Sequence, residues 1–154
     1  IINRVFNKMK SKYQNDQKAN FGNEHSLFAV EAISADITLT TEDSGKFYTI
    51  TAASGTVAIT LPTSLSAGIR YDFAVLEDTP SNAVTIAAGS AIVDMVVGSG
   101  DASTAKVETT AGTAISNVII GTSAKQGCTL RFVCDGTTWY VSGNGTPDNW
   151  VTTS

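Results

Sequence analysis

One histidine, two cysteines and three prolines are all that this 154-residue chain holds of those types. Each scarcity removes a class of chemistry. The single imidazole, His25, has no nucleophile in a G-x-S-x-G setting to activate, so acyl-transfer triads lack support. No C-x-x-C occurs and His25 lies far from both cysteines, which argues against a zinc site. Cys128 and Cys134 are six residues apart. In one strand that places them roughly 20 Å apart at ~3.3 Å per residue, beyond the ~7 Å reach of a disulfide. They are expected to be buried free thiols, as suits assembly in a reducing cytosol.

Charge is also scarce, at 16% of residues against the usual quarter. Thr, Ser, Ala and Gly fill the gap, a composition suited to strands with small polar faces and to surfaces that pack on copies of themselves. No run of eighteen apolar residues and no signal-peptide pattern is present, so no membrane span is expected. The length suits one domain with a modest appendage.

The charge that exists is unevenly placed. Residues 1–34 hold five basic and three acidic groups, whereas residues 35–154 hold five basic and eleven acidic ones. Half of all positive charge lies in the first eighteen residues. Val5, Phe6, Met9 and Tyr13 approximate helical spacing, so residues 2–15 read as a short amphipathic helix that is marginal in isolation. Asn20-Phe-Gly-Asn23 then breaks it. Residues 1–35 are expected to be an extended or short-helical arm that orders on contact with a partner, a frayed solvated tail being the simpler alternative.

From residue 36 to 154 the pattern is β. Leu27–Ile33 leads in, Ile37 and Leu39 alternate with Thr, and Phe47–Ile50 follows the Asp43-Ser-Gly45 turn. Val57, Ile59 and Leu61 share a face, as do Tyr71, Phe73 and Val75, while Val84 with Ile86 suggests a shorter strand. Ile92–Val97 reads as a separate strand, 98–104 as a loop, Lys106–Glu108 as a weak edge, and Ile115–Ile120 as buried. The chain then closes on a hairpin. Cys128, Leu130, Phe132 and Cys134 point one way, Asp135-Gly136 supplies a turn that tolerates positive φ, and Trp139 and Val141 repeat the inward phase. The last segment is turn-rich, with Trp150 as an isolated aromatic. The expected fold is all-β, an antiparallel β-sandwich or jelly-roll-like barrel of eight or nine strands with turn signals about every ten residues.

Other candidate sites are poor. Glu77-Asp78 sits at a strand end before Thr-Pro, where solvated acids are ordinary. Asp94, Asp101 and Asp135 miss the spacing of a calcium loop, and Gly98-Ser-Gly100 lacks the rest of a phosphate loop. Asn144-Gly-Thr146 matches a glycosylation sequon without a sign of a secretory route. The basic arm is attached to an acidic body with no aromatic-basic interleaving, so direct nucleic-acid contact is not expected. Neither an enzyme nor a cofactor is indicated.

Four stretches carry a resemblance: Ile37-Thr-Leu-Thr-Thr-Glu-Asp-Ser-Gly-Lys-Phe-Tyr-Thr49, Thr56-Val-Ala-Ile-Thr-Leu-Pro62, Gly68-Ile-Arg-Tyr-Asp-Phe73, and Gly127 through Asp135-Gly-Thr-Thr-Trp-Tyr-Val-Ser-Gly143. Over residues 36–143 the chain resembles the β-modules of tailed-bacteriophage virion proteins, which occur in capsid decoration (cement) proteins, head fibres and tail fibres. The resemblance implies a mainly β, often trimeric domain attached to a virion assembled in the host cytoplasm. Two functions follow as expectations. As a decoration protein, the chain would bind the major capsid protein through Arg4, Lys8, Lys10, Lys12, Tyr13 and Phe21, and associate with itself through the β-body. As a fibre or tail-tip module, it would present the 98–104 loop and Trp150 to a host-surface glycan. The short chain and the lack of a collagen-like or heptad shaft favour the first.

Overall fold

The computed structural model describes residues 29–77, 80–99, 107–108, 115–146 and 150–154. The arm residues Arg4, Lys8, Lys10, Lys12, Tyr13 and Phe21, and also His25, lie outside the described residues. The strands are β1 (Val30–Ile33), β2 (Ile37–Thr38), β3 (Phe47–Ile50), β4 (Val57–Thr60), β5 (Ala67–Val75), β6 (Val84–Ser99), β7 (Val107–Glu108), β8 (Ile115–Ile120), β9 (Thr129–Asp135), β10 (Trp139–Gly145) and β11 (Val151–Thr153). One 3-10 turn, Thr41–Asp43, interrupts them.

The strands form two mixed five-stranded sheets packed face to face, a sandwich and not a closed barrel. Sheet one runs β1-β3-β5-β9-β10, and sheet two runs β2-β4-β6-β8-β11. The first six strands therefore alternate between sheets. Val30 pairs with Phe47 and Phe47 with Asp72 in sheet one, while Ile37 pairs with Ile59 and Val57 with Val84 in sheet two, every ladder parallel. Because each strand crosses to the opposite sheet before the chain returns, it comes back in the same direction. The chain thus winds as a flattened coil over residues 30–87. The expected antiparallel pairing is confined to the β5-β9-β10 and β6-β8-β11 ladders and the short β7 contact.

β6 is the seam. Its first residues, from Val84 to Ala87, pair with β4 and β8, and Ile92–Ser99 pair with β10. The expected break between Ile86 and Ile92 is absent, and one 16-residue strand passes from sheet to sheet. Ala88-Gly-Ser-Ala91 looks like turn punctuation in sequence, yet small residues also suit a bend at a sheet corner. Joined there, the ladders form one hydrogen-bonded path from β1 to β2 with β7, β8 and β11 off it, giving eleven strands among the described residues where eight or nine were expected.

Alternation fixes which face is inside. Along β9 buried and exposed residues alternate strictly, with Leu130, Phe132 and Cys134 inward and Thr129, Arg131 and Val133 outward. Across the inner face of sheet one runs a band of rings. Tyr48 stacks on Phe73 at 5.5 Å, Phe73 meets Phe132 edge-on at 5.7 Å, and Trp139 closes the band against Phe132 and Tyr71. Sheet two faces it with Val57, Ile59, Val84, Ile86, Val118 and Ile120, all buried. Asp135 seals the β9-β10 turn: its Oδ1 accepts from the Thr137 and Thr138 amides at 2.8 Å, and Gly136 takes φ +108°.

Candidate functional site

The outward face of sheet one carries the most concentrated polar chemistry among the described residues. In the register of the sheet, Phe47 (β3), Asp72 (β5), Arg131 (β9) and Ser142 (β10) stand in one row across four strands. Period-2 geometry puts all four on the same side. Arg70, Val133 and Tyr140 form the row on one side of it, and Ala74, Thr129 and Asn144 the row on the other. Between these rows lies an open groove of about 630 Å³.

At its centre Asp72 is held between two guanidinium groups. Arg131 Nε donates to Oδ1 at 2.5 Å, and Arg70 Nε lies 3.1 Å from Oδ2. Asp72 is buried, its side chain 12% exposed, and the Arg131 hydrogen bond offsets part of its desolvation, whereas Arg70 Nε makes no hydrogen bond. Arg131 leaves more than half of its side chain exposed.

A second charged cluster flanks β3. Lys46 Nζ bridges Glu31 at 2.8 Å and Asp43 at 2.7 Å, and Asp43 Oδ2 also accepts from the Thr40 amide and hydroxyl. The Lys46 hydrogen bond, followed by that of the Thr40 amide, holds the Asp43 carboxyl below its usual value. This cluster locks the turn that precedes β3.

The sequence-level candidates fall out differently. Trp150, expected to face a glycan, is buried at 1% exposure, with its indole close to Gly145. It is a core residue. Glu77 is not a freely solvated acid: its Oε1 accepts from the Ala52 amide at 2.5 Å, while Asn82 Nδ2 donates to the Ala52 carbonyl. Asp135 serves its turn, and of the 98–104 loop only Gly98 and Ser99 are described, as the end of β6. Both cysteines are buried and free, with Cys128 Sγ accepting from the Thr146 amide and Cys134 Sγ from the Gly136 amide. Among the described residues no group of three His, Cys, Asp or Glu side chains is placed to hold a metal ion. Nor is any helix among them long and apolar enough to cross a membrane.

Sequence reasoning missed the Arg70-Asp72-Arg131 cluster. The i, i+2 spacing of Arg70 and Asp72 was a readable sign of a shared strand face, but the pairing with Arg131, 59 residues away, depends on β5 lying beside β9. Comparison of the chain with protein-family models and with curated proteins finds no match in either.

Proposed function

We propose that this chain is a structural virion protein, a bacteriophage capsid decoration protein that anchors to the major capsid protein through its basic N-terminal arm. In this reading Arg4, Lys8, Lys10, Lys12, Tyr13 and Phe21 supply the contacts, and the β-body associates as a trimer. The observation that carries it is the charge division: half of the basic residues precede residue 19, ahead of a β-body rich in acid. A compact sandwich can occupy a local symmetry axis of a lattice while an arm reaches a neighbouring subunit. Each arm contact is then repeated many times, so weak contacts suffice.

Deleting residues 1–20 tests the anchor. The truncated chain is expected to keep its β circular-dichroism spectrum and lose particle binding, and undiminished binding would refute the role of the arm. Copy number per particle tests the placement. Hundreds of copies agree with decoration, whereas a few dozen or fewer would move the chain to a fibre or tail tip.

A further inference from the structure

Sheet one ends in an open edge. Among the described residues β1 has a single neighbour, β3, and no strand covers its other side. The carbonyls of Ala29 and Ile33 accept from the Phe47 and Thr51 amides on the β3 side. Alternation along the strand therefore turns the amides and carbonyls of Val30 and Ala32 away from β3, toward the edge. Both residues are exposed, and Val30, at 64%, is the barest of the large apolar side chains described. Free backbone groups beside an apolar side chain make a template for another strand. The register sets the chemistry on its two faces. Val30 and Ala32 lie opposite Phe47 and Thr49 on the outer face, whereas Glu31 lies opposite the buried Tyr48, at the mouth between the sheets. Glu31 and Asp43 share Lys46 as their cation, so this cluster carries one negative charge in excess.

We infer that residues 8–13 of the same chain occupy this edge as a strand added beside β1. The described chain starts at the edge itself, with Ala29 leading into Val30, and 28 residues precede it. In Lys8-Met-Lys-Ser-Lys-Tyr13 the lysines recur at every second position, so an extended backbone puts all three on one face and Met9, Ser11 and Tyr13 on the other. Residues directly opposite each other in a ladder share a face. In phase with β1, the added strand brings a lysine beside Glu31 while Met9 or Tyr13 covers Val30. Charge complementarity favours this occupant, since residues 1–28 hold five basic groups against two acidic ones and meet a cluster with acid in excess. Sixteen residues, 14–29, join the two strands, enough for the chain to turn back and few enough to keep the local concentration high. The β1 strand of a second copy fits less well, because pairing Val30 with the copy's Ala32 sets two Glu31 carboxylates directly opposite each other. This docking does not depend on capsid placement; where both hold, β1 and the capsid compete for the same lysines, and the free protein keeps its anchor covered.

The test is amide hydrogen exchange of the full ¹³C,¹⁵N-labelled chain, followed by NMR. The Val30 and Ala32 amides are expected to exchange slowly, and the carbon shifts of residues 8–13 to be those of a strand. Lys10→Pro combined with Ser11→Pro removes one amide from each phase of the segment and changes no residue of the β-body. It should speed exchange at Val30 and Ala32 about tenfold or more and leave the Phe73 amide in β5 unchanged. Replacing Lys8, Lys10 and Lys12 together by Glu should do the same through charge alone. Fast exchange at Val30 and Ala32 in the parent, protection that survives both variants, helical shifts over residues 8–13, or protection that rises with protein concentration, the mark of a second copy, would each overturn the assignment. Particle binding on deletion of residues 1–20 is scored separately, so either reading can fail without the other.

Discussion

The backbone of Gly145 approaches the indole of Trp150 too closely for a side chain to fit between them. A Cβ built on Gly145 would stand 2.7 Å from Trp150 Cδ2 and 2.6 Å from Cys128 Sγ. Sequence presents Gly143-Asn-Gly145 as a turn, yet all three residues belong to β10, and the glycines are there because other atoms come close. Gly143 is similarly hemmed in, by the Thr129 carbonyl and the Leu130 side chain. The Gly145 contact ties the end of β10 to the segment entering β11, and hence one sheet to the other.

Gly145→Ala should therefore destabilise strongly for a single methyl group. An overpacked core site costs about 1–3 kcal/mol, or roughly 3–10 °C of melting temperature in a domain of this size. Ser142→Ala, on the exposed side of the same strand, serves as the control and should leave the melting temperature nearly unchanged. A Gly145→Ala protein that melts with the parent would mean that Trp150 does not pack where it is placed.

Two buried tyrosines make opposite predictions. Tyr71 OH donates to the Thr40 carbonyl at 2.6 Å, whereas Tyr48 OH is buried with no hydrogen-bond partner among the described residues. Removing a satisfied hydroxyl costs about 1 kcal/mol, but removing an orphaned one relieves a desolvated group. Tyr71→Phe should lower the urea midpoint, and Tyr48→Phe should leave it unchanged or raise it. Burial also pushes both phenols up to about 12, ahead of the repulsion from Asp43. The reverse order of the two midpoints would contradict the assigned environments.

What could be read in the sequence was local. The phases of β3 and β9 are set by alternation within four to seven residues, and Asp135-Gly136 by the chemistry of a tight turn. The burial of Cys128 and Cys134 follows from the same phase. The route of the chain was hidden, because a strand bound for the opposite sheet has the same alternation as one that folds back in a hairpin. Trp150 looked isolated for a related reason: what it packs on is the bare backbone of Gly145, which carries no apolar side chain to signal a contact. Arg70, Asp72 and Arg131 are three ordinary surface residues until β5 and β9 pair, and only that register makes them a site.

Acid stability gives a prediction with a definite sign. Hydrogen bonding from Lys46, then from the Thr40 amide, lowers the Asp43 carboxyl, and the Thr137 and Thr138 amides lower that of Asp135. A depressed native value means that the unfolded chain takes up these protons first as pH falls. Stability from both groups is thus fully present above the unfolded carboxylate value of about 4 and drains away below it. The melting temperature should be level in this respect from pH 7 to about 5 and should fall as pH drops through about 4. Asp135→Asn keeps one acceptor for the turn but cannot titrate. That variant should melt lower at pH 7, while its loss of melting temperature between pH 5 and 3 should be smaller than the parent's. Differential scanning calorimetry across that range decides it, because parallel curves for parent and variant would show that the Asp135 turn does not contribute to acid unfolding.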